Sequence, residues 1–155
     1  IISLPKEISI AILDVQRRVV FTNIFSRKII FDNIGTLEYE FKVVVGESGY
    51  VDQMIKELLE FIPNNFSLSR NYPNPFNPLT NLDFSIPKRS NVTLRVFNMM
   101  GQEVVTLINE KKSYGNYSTS WNGLDSKGVN VASGVYFAEL RNRDERKITK
   151  MLLLK

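Results

Sequence analysis

The octapeptide Asn71-Tyr72-Pro73-Asn74-Pro75-Phe76-Asn77-Pro78 constrains the fold more than any other stretch of the chain. Each proline fixes φ near about −65°, removes a backbone donor and drives the preceding residue into extended geometry. Neither a helix nor an interior ladder strand tolerates that density of proline. The segment is expected to be a stiff, extended ribbon. On it Tyr72 and Phe76 are apolar pegs, and Asn74 and Asn77 can bond their own backbone in Asx-type turns. Alone, such a ribbon reads equally well as a rigid spacer between two domains.

The residues beyond the ribbon favour a structural role for it. From Thr80 to Lys155 the chain reads as short strands separated by turn chemistry. Tyr117, Thr119 and Trp121 alternate with Asn116, Ser118 and Ser120, a period of two over a full strand. Asn91 to Asn98 repeats it, with Val92, Leu94 and Val96 on one face, before a turn at Gly101 leads into Glu103 to Ile108. Asn122-Gly123, Asp125 to Gly128 and Ser133-Gly134 are further turns. Val135 to Arg141 and Lys147 to Leu154 are the last two strands, joined through Asn142 to Arg146. About seven strands at this spacing predict a small antiparallel sandwich. Its expected core is Val92, Leu94, Val96, Leu107, Trp121, Val135, Phe137 and Leu140.

Residues 66 to 155 resemble the type A C-terminal sorting domain of proteins exported by the bacterial type IX secretion system. The landmarks are Tyr72 to Pro78, Ile86-Pro87, Val96 to Val104 (Val-Phe-Asn-Met-Met-Gly-Gln-Glu-Val), Trp121-Asn122-Gly123, Gly128, Ala132 to Phe137, and the terminal Lys150-Met151-Leu152-Leu153-Leu154-Lys155. Each is weak alone; their order and spacing together are specific. Leu79 stands where a small hydroxyl residue is common, and Asn122 where Asp is common. The resemblance implies an all-β protein whose C-terminal part is an immunoglobulin-like sandwich, similar to that of flagellar hook-capping proteins. It implies a secretion and sorting signal of a larger exported protein, read by the type IX outer-membrane translocon. A sortase-like surface protease then cleaves it, and the cargo is joined to anionic lipopolysaccharide or released. Tyr72, Pro73, Asn74, Pro75, Phe76, Asn77, Pro78 and Lys150 to Lys155 become the expected recognition residues. Gly101, Trp121, Gly123, Gly128, Gly134 and Tyr136 become the expected structural ones. The product would be secreted or held at the cell surface, by way of the periplasm and outer membrane.

Composition closes other classes. The chain has neither cysteine nor histidine, which removes a disulfide framework, a thiol nucleophile and imidazole chemistry. No enzyme is expected: Asp14, Asp32, Asp83 and Asp125 form no paired constellation, and Ser133-Gly134 has no histidine to activate it. No cofactor is expected either. The turn Asn122 to Gly128 has one carboxylate, too few for a calcium ion that takes about six to eight oxygens. Met151 to Leu154 is far shorter than the roughly 18 apolar residues of a membrane span. The start at Ile1-Ile2, with no signal-peptide pattern, is read as that of a C-terminal piece of a longer precursor.

Residues 1–62 read as a different unit. They carry seven Lys and Arg against nine Asp and Glu, whereas 63–155 carry thirteen against seven, which supports a boundary near Pro63. Glu7 to Asp14, Val19 to Ile24, Lys28 to Phe31 and Leu37 to Val45 read as strands, Gly46 to Gly49 as a turn, and Val51 to Phe61 as a short helix. About sixty residues is marginal for an independent core, so this part reads as the C-terminal end of an upstream, sandwich-like β unit. The expected organisation is thus 1–62, a proline-rich connector at 63–78, and a sandwich at 79–155. Cleavage is expected between Leu59 and Asn71.

A second reading is a carbohydrate-binding or adhesive sandwich using Trp121, Tyr117 and Tyr136, which requires those rings to be exposed. The basic surface of Lys111-Lys112 and Arg141 to Lys147 lacks interleaved exposed aromatics and reads as a solvated face, with no nucleic-acid partner.

Overall fold

A computed structural model describes residues 8–22 and 40–155, which divide into two compact units, Ile1–Ile62 and Pro63–Lys155. The strand expected at Lys28 to Phe31, the outer ends of those expected at Glu7, Asn23 to Ile24 and Leu37 to Tyr39, and Asp32 lie outside the described residues.

In the first unit, β1 (Ile8–Asp14) lies between β2 (Val19–Thr22) and β3 (Phe41–Glu47) in an antiparallel sheet. The helix α1 (Ser48–Phe61) buries Val51 and Ile55, while β1 and its turn bury Ala11, Leu13 and Val15. The turn expected at Gly46 to Gly49 does not form. Gly46 remains in β3, and the Tyr50 ring fills the space a side chain would need there: a Cβ would lie 2.7 Å from Tyr50 Cδ1. Gly49 sits in the first turn of α1, which therefore begins earlier than the apolar periodicity suggested. The helix has no basic residue in its last turn. Its C-terminal carbonyls are instead served from the β1–β2 turn, where the Arg18 guanidinium donates to Ile62 O at 2.6 Å and Leu59 O at 2.7 Å.

The second unit is a two-layer antiparallel sandwich. One sheet runs β10-β9-β6-β7, with β6 Ser90–Asn98, β7 Glu103–Lys112, β9 Gly134–Arg141 and β10 Arg146–Leu153. The other runs β4-β5-β8, with β4 Ser67–Leu68, β5 Thr80–Ile86 and β8 Gly115–Trp121. Strand alternation fills the space between them: Leu82, Phe84 and Ile86 from β5 face Val92, Leu94 and Val96 from β6, with Trp121 from β8.

Three expectations for this unit are corrected. On β9 the inward residues are Tyr136, Ala138 and Leu140, while Val135 and Phe137 are half-buried on the outer face. The pairing of Leu94 with Leu140 and Val96 with Ala138 fixes that face, and a period of two then turns Val135 and Phe137 outward. Leu107 packs against the core only in part, because it lies where the β6–β7 register slips between Leu94 and Arg95, leaving it without a direct partner. The segment 63–78, expected as a connector, lies wholly within the second unit. Phe66 and Phe76 enter the core, and Ser67 and Leu68 pair with β5 as the seventh strand of the sandwich.

Candidate functional site

The proline ribbon is bonded along both of its margins. On one side, Tyr72 exchanges backbone bonds with Asn81, N–H to O at 3.0 Å and the return bond at 2.9 Å. Beneath it, the buried Asn71 amide donates to Pro73 O at 3.0 Å and to Thr80 Oγ1 at 2.9 Å, while the Thr80 hydroxyl donates to Pro73 O at 2.8 Å. A proline-rich turn offers few donors of its own, so these two buried side chains supply them. The Tyr72–Pro73 and Asn74–Pro75 bonds are cis.

On its other side the ribbon reaches the outer edge of β10. The Asn74 amide donates to Lys150 O at 3.1 Å, and Leu152 N–H donates back to Asn74 Oδ1 at 3.0 Å. Phe76 N–H then donates to Leu152 O at 3.0 Å, and Leu154 N–H donates to Phe76 O at 2.9 Å. Asn74 thus presents a side-chain amide where a neighbouring strand would present a peptide, and Phe76 continues the pattern with its own backbone. An edge strand leaves alternate N–H and C=O groups unpaired, and this ribbon takes up those between Lys150 and Leu154. The chain end is held as well, since Lys155 N–H donates to Ser133 Oγ at 3.1 Å.

The two expected pegs behave differently. Phe76 is 2% exposed and its ring lies 5.5 Å from that of Trp121, whereas the Tyr72 side chain is 79% exposed. Pro73, Asn74, Pro75, Asn77 and Pro78 are exposed along the ribbon. In the terminal segment, Met151 and Leu153 point into the core; Lys150, Leu154 and Lys155 are exposed and Leu152 is half-buried. Gly101, Gly123, Gly128 and Gly134 all have positive φ. At Gly123 the space is also limited, since a Cβ would lie 3.4 Å from Leu153 Cδ2 beside the Pro78 carbonyl.

Trp121, which meets Phe76 of the ribbon, packs in turn on Tyr136. Their rings meet edge to face at 5.1 Å. The indole N–H donates to Leu124 O at 2.9 Å, and the Tyr136 hydroxyl donates to Ala132 O at 2.7 Å. Burial of that hydroxyl raises the phenol pKa above its ordinary value of 10.0. Trp121 is 2% exposed, Tyr136 is buried, and Tyr117 stacks on Phe84 at 5.5 Å, so the three rings form no open sugar platform. Asn71 and Thr80, which hold the ribbon's inner margin, were not among the expected site residues. Their sequence signal is slight: a buried Asn and Thr differ from exposed ones only by tertiary context.

A two-sheet antiparallel sandwich with its C-terminal strand at an edge, and a rigid ribbon fastened to that strand, is a β-sandwich module of the immunoglobulin-like class. Residues 70–155, more than half of the chain, match the family model described as secretion system C-terminal sorting domain, and the chain belongs to that family. The family is the C-terminal sorting signal of type IX cargo and marks proteins exported to the cell surface or secreted. Curated proteins yield no match. Among solved structures the chain is similar to PorZ of Porphyromonas gingivalis, described as an essential bacterial surface component of the type-IX secretion system. That likeness has 16% identity and a TM-score of 0.40 and covers 59% of this chain and 12% of that one. Dimeric latent PorU from the same organism has 16% identity and a TM-score of 0.45, covering 59% and 10%. FLGD from P. aeruginosa has 23% identity and a TM-score of 0.40, covering 48% and 60%. The chain thus spans about a tenth of the length of the first two. Among the described residues no helix is long and apolar enough to cross a membrane.

Proposed function

We propose that residues 63–155 act as the export address of a longer precursor, read as a folded shape by the outer-membrane translocon of the type IX system. A sortase-like protease at the surface then removes it. The observation that carries this reading is the lacing of the ribbon to the terminal strand: Asn74 and Phe76 bond to Lys150, Leu152 and Leu154, so two segments far apart in sequence present one surface. In this reading Tyr72, Pro73, Pro75, Asn77, Pro78, Lys150, Leu152, Leu154 and Lys155 offer the contact surface. Asn74, Phe76, Met151 and Leu153 hold its shape, and Gly101, Trp121, Gly123, Gly128, Gly134 and Tyr136 support the frame. The domain works by being recognised and performs no chemistry of its own. Its cargo lies upstream, with residues 1–62 as the end of that cargo and anionic lipopolysaccharide as its acceptor after cleavage.

The geometry narrows the proposed cleavage window. Phe66 is in the sandwich core, β4 is paired, and Ser69 N–H donates to Asp83 O at 2.8 Å, so a cut beyond residue 65 would require part of the sandwich to open. Ile62 is buried at the other end, whereas Asn64 and Asn65 are exposed. These contacts support a narrower window for the proposed cleavage, residues 63–65, the stretch a protease can bind in extended form without unfolding the sandwich.

The test is a periplasmic reporter fused to residues 63–155 in a bacterium possessing this secretion system. The complete fusion reaches the cell surface and the released domain begins within 63–66. Removing Lys147 to Lys155 leaves the fusion in the periplasm. Equal display of complete and truncated fusions would overturn the terminal assignment, and a domain beginning beyond Phe66 would overturn the cleavage window.

A further inference from the structure

The ribbon covers only part of the β10 edge. Leu152 and Leu154 direct their N–H groups to the ribbon, and strand alternation gives Lys150 and Ile148 the same outward orientation. The Ile148 N–H, the Ile148 C=O and the Lys150 N–H thus face outward with none of the described residues bonded to them. Behind this bare stretch, on the outer face of the sheet, lies a shallow groove of about 410 Å³ whose lining includes Phe97, Met99, Phe137 and Ile148. Met99 and the neighbouring Met100 are 74% and 78% exposed at the β6–β7 turn. Adjacent exposed methionines beside an apolar groove are suited to receiving a partner's side chain.

Charge identifies the occupant. Arg141 to Lys150 holds five cations and two acids. Both acids are engaged, Asp144 with Lys88 at 3.3 Å and Glu145 with Lys147 at 3.8 Å. Glu139, beneath the edge, is held by Arg95 at 3.0 Å and by Arg146. Arg141, Arg143 and Lys150 have no carboxylate partner among the described residues. A second copy of this chain would set these cations against their like, which opposes self-pairing.

We infer that the bare edge Arg146–Lys150, with the groove behind it, docks an extended acidic segment of the export machinery, which joins the sheet as an added strand. The inference rests on the export reading of the domain. On β10 the side chains of Arg146, Ile148 and Lys150 share the outer face, so the matching segment carries an acid, an apolar residue and an acid at alternate positions. The backbone supplies affinity and those three side chains fix the register.

The test uses the full 155-residue chain and two end-blocked peptides. One has glutamate, valine and glutamate at alternate positions with threonine between; its counterpart has lysine in place of glutamate. The glutamate peptide binds about tenfold more tightly than the lysine peptide, and slows hydrogen exchange at the Ile148 amide. Ile148→Pro removes the outward donor and no ladder bond, and weakens the glutamate peptide about tenfold with the melting transition retained. Should that variant unfold, Lys150→Glu decides the matter by abolishing the preference between the peptides. Equal binding of both peptides, or a preference unchanged by Lys150→Glu, overturns the inference. So does a self-associating chain whose dimer is dissolved by Ile148→Pro, since the edge would then serve a second copy. Because the peptides are tested without the secretion machinery, failure here leaves the fusion result intact, and failure of the fusion leaves this edge to be judged on binding alone.

Discussion

The two edges of the four-stranded sheet are protected by opposite means. At β7 the protection is mainly local: Glu103, Glu110, Lys111 and Lys112 line a ten-residue strand, two register shifts against β6 break its regularity, and one bond from elsewhere, Ser126 N–H to Val104 O at 3.0 Å, is added near its start. Charge and bulges of this kind keep an edge from pairing with whatever it meets. At β10 the protection comes from a segment more than seventy residues away, which matches the strand group by group from Lys150 to Leu154. A charged edge is tolerant, because any similar residues would serve. A laced edge depends on particular atoms, which is the behaviour expected of a surface that must be recognised.

That contrast is broken most forcefully at Phe76. Phe76→Ala removes a buried ring from Trp121 and is expected to cost about 3 to 5 kcal/mol, read from denaturant unfolding. A loss below about 1 kcal/mol would make the ribbon a passive cover like the charges on β7. Asn74→Ala removes two bonds from an exposed side chain and is expected to cost about 1 kcal/mol, a shift of a few degrees in melting temperature. On β7, Glu110→Ala breaks the pair between the exposed Glu110 carboxylate and Lys112 and should cost under about 0.5 kcal/mol. If Asn74→Ala and Glu110→Ala prove equal, the two edges do not differ as described. Tyr72→Ser is expected to change stability least, within about 0.5 kcal/mol, because its ring is already in water.

Tyr136, packed on the Trp121 ring that Phe76 meets, adds a pH dependence. Burial raises the Tyr136 phenol pKa above 10.0, so the neutral phenol is the form the fold favours. Its contribution is complete below the unfolded value near pH 10 and is lost as pH rises through the higher folded value. Unfolding curves between pH 9 and 11 should show stability falling more steeply for the wild type than for Tyr136→Phe. Parallel curves would mean that the hydroxyl ionises in the fold without penalty.

Much of the sandwich was legible because its strands alternate cleanly and its turns carry Asn and Gly. Val92, Leu94 and Val96 lie in the core as their spacing requires. The face of β9 was less legible, since Val135, Tyr136, Phe137 and Ala138 form an unbroken apolar run in which alternation has no contrast to reveal it. Only the pairing with β6, and the Ala132 carbonyl that accepts the Tyr136 hydroxyl, decide which side turns inward. At the ribbon, composition predicted stiffness but could not separate Tyr72 from Phe76: two aromatics four residues apart look alike until one meets Trp121. The role of Asn74 was hidden for a stronger reason, because its partners are backbone atoms, and a backbone acceptor leaves no mark in a sequence. Arg18, which serves the helix end from a turn, was hidden in the same way.

Amide hydrogen exchange along β10 tests the central claim most directly, because one strand contains laced and bare outward groups side by side. The wild type should protect Leu152 and Leu154 and leave Ile148 exchanging freely; Asn74→Ala should release Leu152 while Leu154 stays protected by the Phe76 carbonyl. Leu152 exchanging as fast as Ile148 in the wild type, or unchanged by Asn74→Ala, would contradict the joining of ribbon and terminal strand into one surface.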